Sequence, residues 1–148
     1  AVAVPVIASG GIMAGRGIAA ALALGAQAAQ MGTAFLTTDE SGISDAYKAV
    51  LPATRSEQSR VTRAFSGRPA RGISNAFMRD ADAIGADILP YPLQNALTRP
   101  MRTAGGKAGN INVLSLWAGQ AAPLARREST ADLVQRLVRE TQAAQSRR

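Results

Sequence analysis

Residues 2–8 are an unbroken apolar run rich in Val and Ile, stopped by Ser9-Gly10-Gly11. A short run with no polar alternation predicts a parallel strand buried on both faces. Pro5 removes one ladder donor, so it belongs near the start of that strand. The pattern then changes to helical spacing over 15–25, with Ile18, Ala21, Leu22 and Gly25 on one face. Alanines favour the helix and permit close packing on a sheet, and Gly25 is placed to stop it. Residues 27–31 form a second short apolar run, ending at Gly32-Thr33. The order strand, helix, strand predicts a right-handed crossover and a parallel pair.

Further along the chain, 44–51 predicts a helix ended by Pro52, and 54–60 a polar, exposed stretch. Residues 61–65 and 70–73 predict the arms of a hairpin around Ser66-Gly67-Arg68-Pro69. Residues 75–84 and 91–104 predict helices, with Pro92 tolerated in a first turn. Gly105-Gly106-Lys107-Ala108-Gly109 predicts a flexible loop, and the apolar run 112–117 ends at Ala118-Gly119-Gln120. The last helix carries the clearest signal. Ser129 and Asp132 resemble a capping box, and Leu133, Leu137 and Thr141, flanked by Val134 and Val138, make one apolar stripe. On this reading Arg136, Arg139, Glu140 and Gln142 face outward, and the tail 145–148 frays.

Composition narrows the function classes. A chain of 148 residues with 47% hydrophobic residues is about one globular domain with a real core. No run approaches the length of a membrane helix, and residues 1–8 lack the basic start of a secretory signal. The opening at Ala1, inside a strand-like run, suggests a piece of a longer protein. Without Cys there are no disulfides or thiolate ligands, which fits a cytoplasmic setting; without His the usual general base is missing. The net charge of +7 raises nucleic-acid binding, but the arginines, all but Arg16, are scattered from 55 to 148 and aromatic residues are only 4%. That pattern fits a solvated or phosphate-facing surface better than a stacking platform.

The two strand ends carry the candidate chemistry. A phosphate dianion needs several donors in a small space, and backbone N–H groups supply them where no Cβ blocks approach. Gly10 and Gly11 provide this after the first strand; Gly32 and Thr33 add an N–H and a hydroxyl after the second. The positive end of the intervening helix is a further expected donor. In a barrel of parallel strands such groups share the C-terminal face, where a phosphate site recurs. A Walker loop is excluded, since no Gly-x-x-x-x-Gly-Lys-Ser/Thr is present. Gly15-Arg16-Gly17 lacks the third glycine of a dinucleotide fingerprint.

Pro5-Val6-Ile7-Ala8-Ser9-Gly10-Gly11-Ile12, Gly15-Arg16-Gly17-Ile18-Ala19-Ala20-Ala21-Leu22, Leu24-Gly25-Ala26 and Gln30-Met31-Gly32-Thr33-Ala34-Phe35-Leu36 together resemble the nitronate monooxygenase family, formerly 2-nitropropane dioxygenase. The resemblance continues, in order, through Ser66-Gly67-Arg68-Pro69-Ala70-Arg71-Gly72, Tyr91-Pro92-Leu93-Gln94-Asn95 and Leu116-Trp117-Ala118-Gly119-Gln120, over about four-fifths of the chain. It implies the C-terminal part of an FMN-binding (β/α)8 TIM barrel with an inserted smaller α/β segment. The implied division is 1–53 for the last barrel units, 54–110 for the insertion, and 111–148 for the return to the barrel. It also implies oxidation of an alkyl nitronate by dioxygen to a carbonyl compound and nitrite. FMN would be held by Ser9, Gly10, Gly11, Gln30, Gly32, Thr33 and Gln120, with Trp117-Ala118-Gly119-Gln120 near the flavin or substrate and Tyr91 at the opening. The family's catalytic His lies in an Ala-Gly-Gly-His motif. This chain has no such motif, so it would anchor the cofactor without supplying the base.

Other residues have readings on both sides. Trp117 reads as core or as a cofactor contact, and Tyr91 as helix-start packing or a substrate contact. Arg68 and Arg71 read as exposed hairpin charges or phosphate ligands. Asp80, Asp82 and Asp87 read as ordinary surface rather than a metal site, Lys107 as a mobile loop residue, and Met13 and Met31 as packing. The alternatives in function are another FMN barrel, such as an enoyl reductase, and a non-catalytic half-barrel module. The module would bind a phosphorylated ligand and close its open sheet edge as a homodimer.

Overall fold

The computed structural model describes residues 2–85 and 87–146. Its first unit is strand β1 (Ile7–Ser9), helix α1 (Gly15–Ala23) and strand β2 (Ala28–Gln30). The two strands pair in parallel with Ile7 opposite Ala28, Ala8 opposite Ala29 and Ser9 opposite Gln30. This register brings Gly10-Gly11 and Met31-Gly32-Thr33 out at one edge. The helix ends as the sequence predicts. Gly25 takes φ +99°, its N–H donates to Leu22 O at 3.0 Å, and Ala26 N–H donates to Ala21 O at 3.0 Å. That double bond pattern is a glycine-centred helix stop that only a residue tolerant of positive φ closes without strain.

The predicted buried strand over 2–8 is shorter and more open. Only Ile7–Ser9 is a strand, and Val4, Val6 and Ile7 are 66%, 44% and 58% exposed. A two-stranded sheet leaves each strand a free edge, and no element among the described residues covers these side chains.

A second, antiparallel pair follows: β3 (Ser59–Thr62) and β4 (Ala70–Ile73), with Ser59 opposite Ile73 and Thr62 opposite Ala70. The predicted hairpin is therefore present, but its first arm starts and ends earlier than 61–65. The stretch 54–60 is not uniformly exposed. Thr54 and Ser59 are buried, and Arg71 Nη1 donates to Ser59 O and Oγ, both at 3.1 Å. Gly67, at φ +83°, closes the connection, and a Cβ there would fall 2.7 Å from Tyr91 N. Residues 116–118 lie along β4: Ile73 N–H donates to Leu116 O at 2.9 Å and Ala118 N–H to Arg71 O at 3.2 Å.

Helix α2 (Thr33–Leu36) is a single turn, and α3 (Asp45–Ala53) starts at Ser44, whose side chain accepts from Tyr47 N–H at 3.3 Å. Pro52 lies inside the last turn of α3 instead of ending it. Helix α4 (Ala76–Ala83) is capped by Asn75. Helix α5 (Leu93–Lys107) takes in the first three residues of the predicted glycine loop and stops at Ala108-Gly109. Gly105 is buried, and a Cβ on it would collide with Val113 and lie 3.3 Å from Asn110 O. These glycines let the next segment pack against the helix; they do not loosen it.

Helix α6 (Thr130–Gln145) is capped by Ser129 as predicted, with Asp132 N–H donating to Ser129 Oγ at 3.1 Å. Leu133 and Leu137 are buried, but Val134 and Val138 are about half exposed, so the apolar stripe is narrower than the sequence suggests. Arg136 and Glu140 turn inward rather than outward. Residues 147 and 148, half of the tail expected to fray, lie outside the described residues. The main core gathers Met13, Ala34, Leu51, Ile73, Leu116, Leu133 and Leu137 from along the whole chain. Among the described residues no helix is long and apolar enough to cross a membrane.

Candidate functional site

The edge shared by β1 and β2 encloses a cavity of about 210 Å3. Its lining includes Ser9, Gly10, Gly11, Gln30, Gly32 and Thr33, all expected from the sequence, with Met13, Met31 and Gly119 beside them. Gly10 and Gly11 have φ of +97° and +71°, so the turn itself requires glycine. Gly32 is different. Its φ of −107° suits any residue, and a Cβ built on it meets no protein atom within 4 Å. The chain's own packing does not demand a glycine there; an occupant of the cavity would. The backbone N–H groups of Gly10, Gly11, Gly32 and Thr33 donate to no acceptor among the described residues. A cluster of unused amide donors against space that a side chain would fill suits a phosphate monoester.

Gly119 joins this site from far along the chain. Its N–H donates to Thr33 Oγ1 at 3.0 Å, which leaves the threonine hydrogen free for a ligand. A Cβ on Gly119 would lie 3.6 Å from Thr33 Oγ1 and 4.0 Å from Gly11 N, so all three loops meet here. The segment is held by β4 on one side and by Tyr47, whose hydroxyl donates to Trp117 O at 2.6 Å. Burial pushes the Tyr47 phenol well above its ordinary range, so it stays a donor. Within Ala118-Gly119-Gln120 the sequence points to Gln120, yet Gln120 is exposed and outside the cavity lining. The signal for Gly119 was present as a glycine closing an apolar run, but its partner Thr33 is 86 positions away.

Two other contacts settle into packing. The Trp117 ring stands edge-on to Phe65, 5.6 Å between centroids at 86°. Tyr91 is half exposed, with the Arg68 guanidinium 4.4 Å over its ring. Neither ring lines the cavity. Asp82 pairs with Arg60, and no group of acidic residues among the described residues is arranged to hold a metal ion.

The α1 terminus is already taken, contrary to the expected role as a phosphate donor. Glu140 of α6 accepts from Gly15 N–H at 2.8 Å through Oε2, and its Oε1 meets Arg136 Nη1 at 3.1 Å. Burial pushes the Glu140 carboxyl up, but the Gly15 N–H, the Arg136 hydrogen bond and charge, and the charge of Arg126 together hold it below its usual value. A carboxylate at the positive helix end satisfies the terminus as a phosphate would. The donors left for a ligand are those of the two strand-end loops.

This cradle sits in a chain whose residues 1–140 match the family model described as nitronate monooxygenase. The chain belongs to the nitronate monooxygenase family. It is 40% identical over 144 residues to a probable nitronate monooxygenase of Staphylococcus saprophyticus, covering 97% of this chain and 41% of that protein. It is 43% identical over 137 residues to the corresponding Staphylococcus haemolyticus protein, covering 93% and 38%. Nitronate monooxygenase relatives of this kind are thus matched over about two-fifths of their length. Among solved structures, nitroalkane oxidase from Streptomyces ansochromogenes superposes with a TM-score of 0.91 at 46% identity, covering 98% of this chain and 41% of that one. FabK from Thermotoga maritima gives 0.81 at 31% identity, covering 98% and 46%.

Proposed function

We propose that this chain is the cofactor-anchoring part of an FMN-dependent (β/α)8 oxidoreductase that oxidises an alkyl nitronate with dioxygen to a carbonyl compound and nitrite. The observation that carries this reading is the cradle of unused N–H groups around Gly32, a glycine for which the protein's own packing gives no reason. Family membership supports FMN as the source of that phosphate. On this reading β1 and β2 are adjacent barrel strands, 1–53 carries the cradle, 54–110 the inserted segment, and 111–148 the return to the barrel.

Each residue has a physical task. Gly10, Gly11, Gly32 and Thr33 donate backbone hydrogens to phosphate oxygens, where charge-assisted bonds are stronger than neutral ones. The Thr33 hydroxyl, fixed by Gly119 N–H, donates its own hydrogen to the same group. Ser9 and Gln30 close the sides with polar side chains. When bound there, FMN would supply the redox chemistry between the nitronate and dioxygen. With no His in the chain, a histidine base belongs to the part of the enzyme outside these residues.

The structural likeness to FabK keeps an enoyl reductase as the second reading, at lower identity than the nitroalkane oxidase match. Assaying the enzyme in its full length on propionate 3-nitronate and on a crotonyl thioester separates the two. Nitrite release with oxygen uptake, and no thioester reduction, is expected. Thioester reduction without nitrite would overturn the proposal.

A further inference from the structure

A second cavity, of about 620 Å3, opens where α6 crosses the start of α1. Its size is in the range of sites that take small organic ligands. The buried part of its wall is apolar, formed by Met13 and Ala125, with Ala144 and the exposed Leu124 extending that surface outward. Four charged groups face it, and they divide into two kinds. Arg136 is neutralised, at 2.6 Å from Glu128 and 3.1 Å from Glu140, and Glu140 in turn holds Gly15. Arg16 and Arg126 form no salt bridge among the described residues, although the charge of Arg126 is felt by Glu140. The Arg126 backbone is fixed by the Thr37 hydroxyl, which donates to Arg126 O at 2.7 Å, so this guanidinium is attached to an ordered segment.

We infer that this cavity is a binding site for an organic monoanion with an apolar body, a medium-chain or aromatic carboxylate, held by Arg16 and Arg126 and distinct from the phosphate cradle. An inorganic anion would use the guanidinium groups but leave the Met13 and Ala125 surface wet. A neutral apolar molecule would cover that surface and leave both guanidinium groups without a partner. A carboxylate on an alkyl chain satisfies both, since guanidinium groups take a carboxylate through paired hydrogen bonds. Met13 lines both cavities, so its methyl group is a natural reporter for the site.

Decanoate and decanol, titrated separately into the full chain, test the assignment by calorimetry and by the Met13 methyl resonance. Saturable binding of decanoate, with decanol at least about tenfold weaker, is expected from loss of a charge-assisted contact. The double variant Arg16→Ala/Arg126→Ala should weaken decanoate about tenfold and leave decanol unchanged. Ala144→Trp, which fills the cavity without touching its charge, should weaken both; it keeps the test decisive if the arginine variant fails to fold. Equal affinity for the two probes, or decanoate binding untouched by these variants, would overturn the inference. Absence of saturable binding would overturn it too.

Discussion

Gly15→Ala should destabilise the protein, although helix propensity predicts the opposite. Gly15 is the first residue of α1, and alanine in a helix is favoured over glycine by about 1 kcal/mol. Its φ is not positive, so the backbone accepts alanine. The obstacle is α6. A Cβ on Gly15 would fall on Glu140 Cβ and Thr141 N and 2.6 Å from Leu137 O, and two of these three are backbone atoms that no rotamer change can move. Overpacking of this kind costs about 1–3 kcal/mol. Shifting α6 would also loosen the 2.8 Å bond from Gly15 N–H to Glu140, and bonds to charged acceptors contribute about 1.5–3 kcal/mol. With the propensity gain subtracted, the net loss is about 1.5–5 kcal/mol. Urea unfolding followed by far-ultraviolet circular dichroism measures it. A variant as stable as the parent, or about 1 kcal/mol more stable, would refute the close crossing of α1 and α6.

Two further predictions follow from the same contacts and from the hairpin's surroundings. Glu140 has its carboxyl held below the usual range in the folded state, so its contribution is full above the ordinary carboxylate pKa and fades as pH falls through the lower folded value. Glu140→Gln should therefore be less stable than the parent near neutrality, and the difference in urea midpoint should shrink as the pH is lowered below the ordinary carboxylate range. A difference unchanged by acid would contradict the clamp. Asn75 is buried, donates to Leu114 O at 2.7 Å and Ile111 O at 3.0 Å, and accepts from Met78 N–H at 3.2 Å. Asn75→Ala, which orphans both carbonyls and the cap, should lose about 3 kcal/mol by urea unfolding, and a loss below about 1 kcal/mol would refute that account.

Local chemistry was the legible part of this sequence. The Gly25 stop, the Ser129 cap, the β1–α1–β2 order and the hairpin around Gly67 all depend on neighbours within a few residues, and each is present, although the hairpin's first arm lies at 59–62 and not at 61–65. What periodicity misreads is contact between distant segments. Gly105 and Gly106 look flexible in sequence because glycine adds entropy, yet the position is set by Val113 and Asn110 pressing on the helix. Arg136 and Glu140 look solvent-facing on a helical wheel, but the wheel does not show that α6 crosses the end of another helix. In the candidate site, Ser9, Gly10, Gly11, Gln30, Gly32 and Thr33 were readable because two strand ends mark them. Gly119 was brought near the site only by the family resemblance of its block, and its contact with Thr33 was not readable, because that link depends on β4 and Tyr47 carrying residues 116–118 back to the first sheet.

The claim that the strand-end loops grip a phosphate is tested most directly at Gly32. Gly32→Val adds a side chain into space free of protein atoms, at a φ that valine adopts, so stability should hold within about 0.5 kcal/mol. Fluorescence titration with FMN, and with riboflavin as the analogue lacking the phosphate, then reads the cradle alone. The account predicts that the protein binds FMN more tightly than riboflavin, and that Gly32→Val weakens FMN by about tenfold or more while leaving riboflavin unchanged. Equal affinity for the two flavins in the parent, or FMN binding unaltered by Gly32→Val, would contradict it.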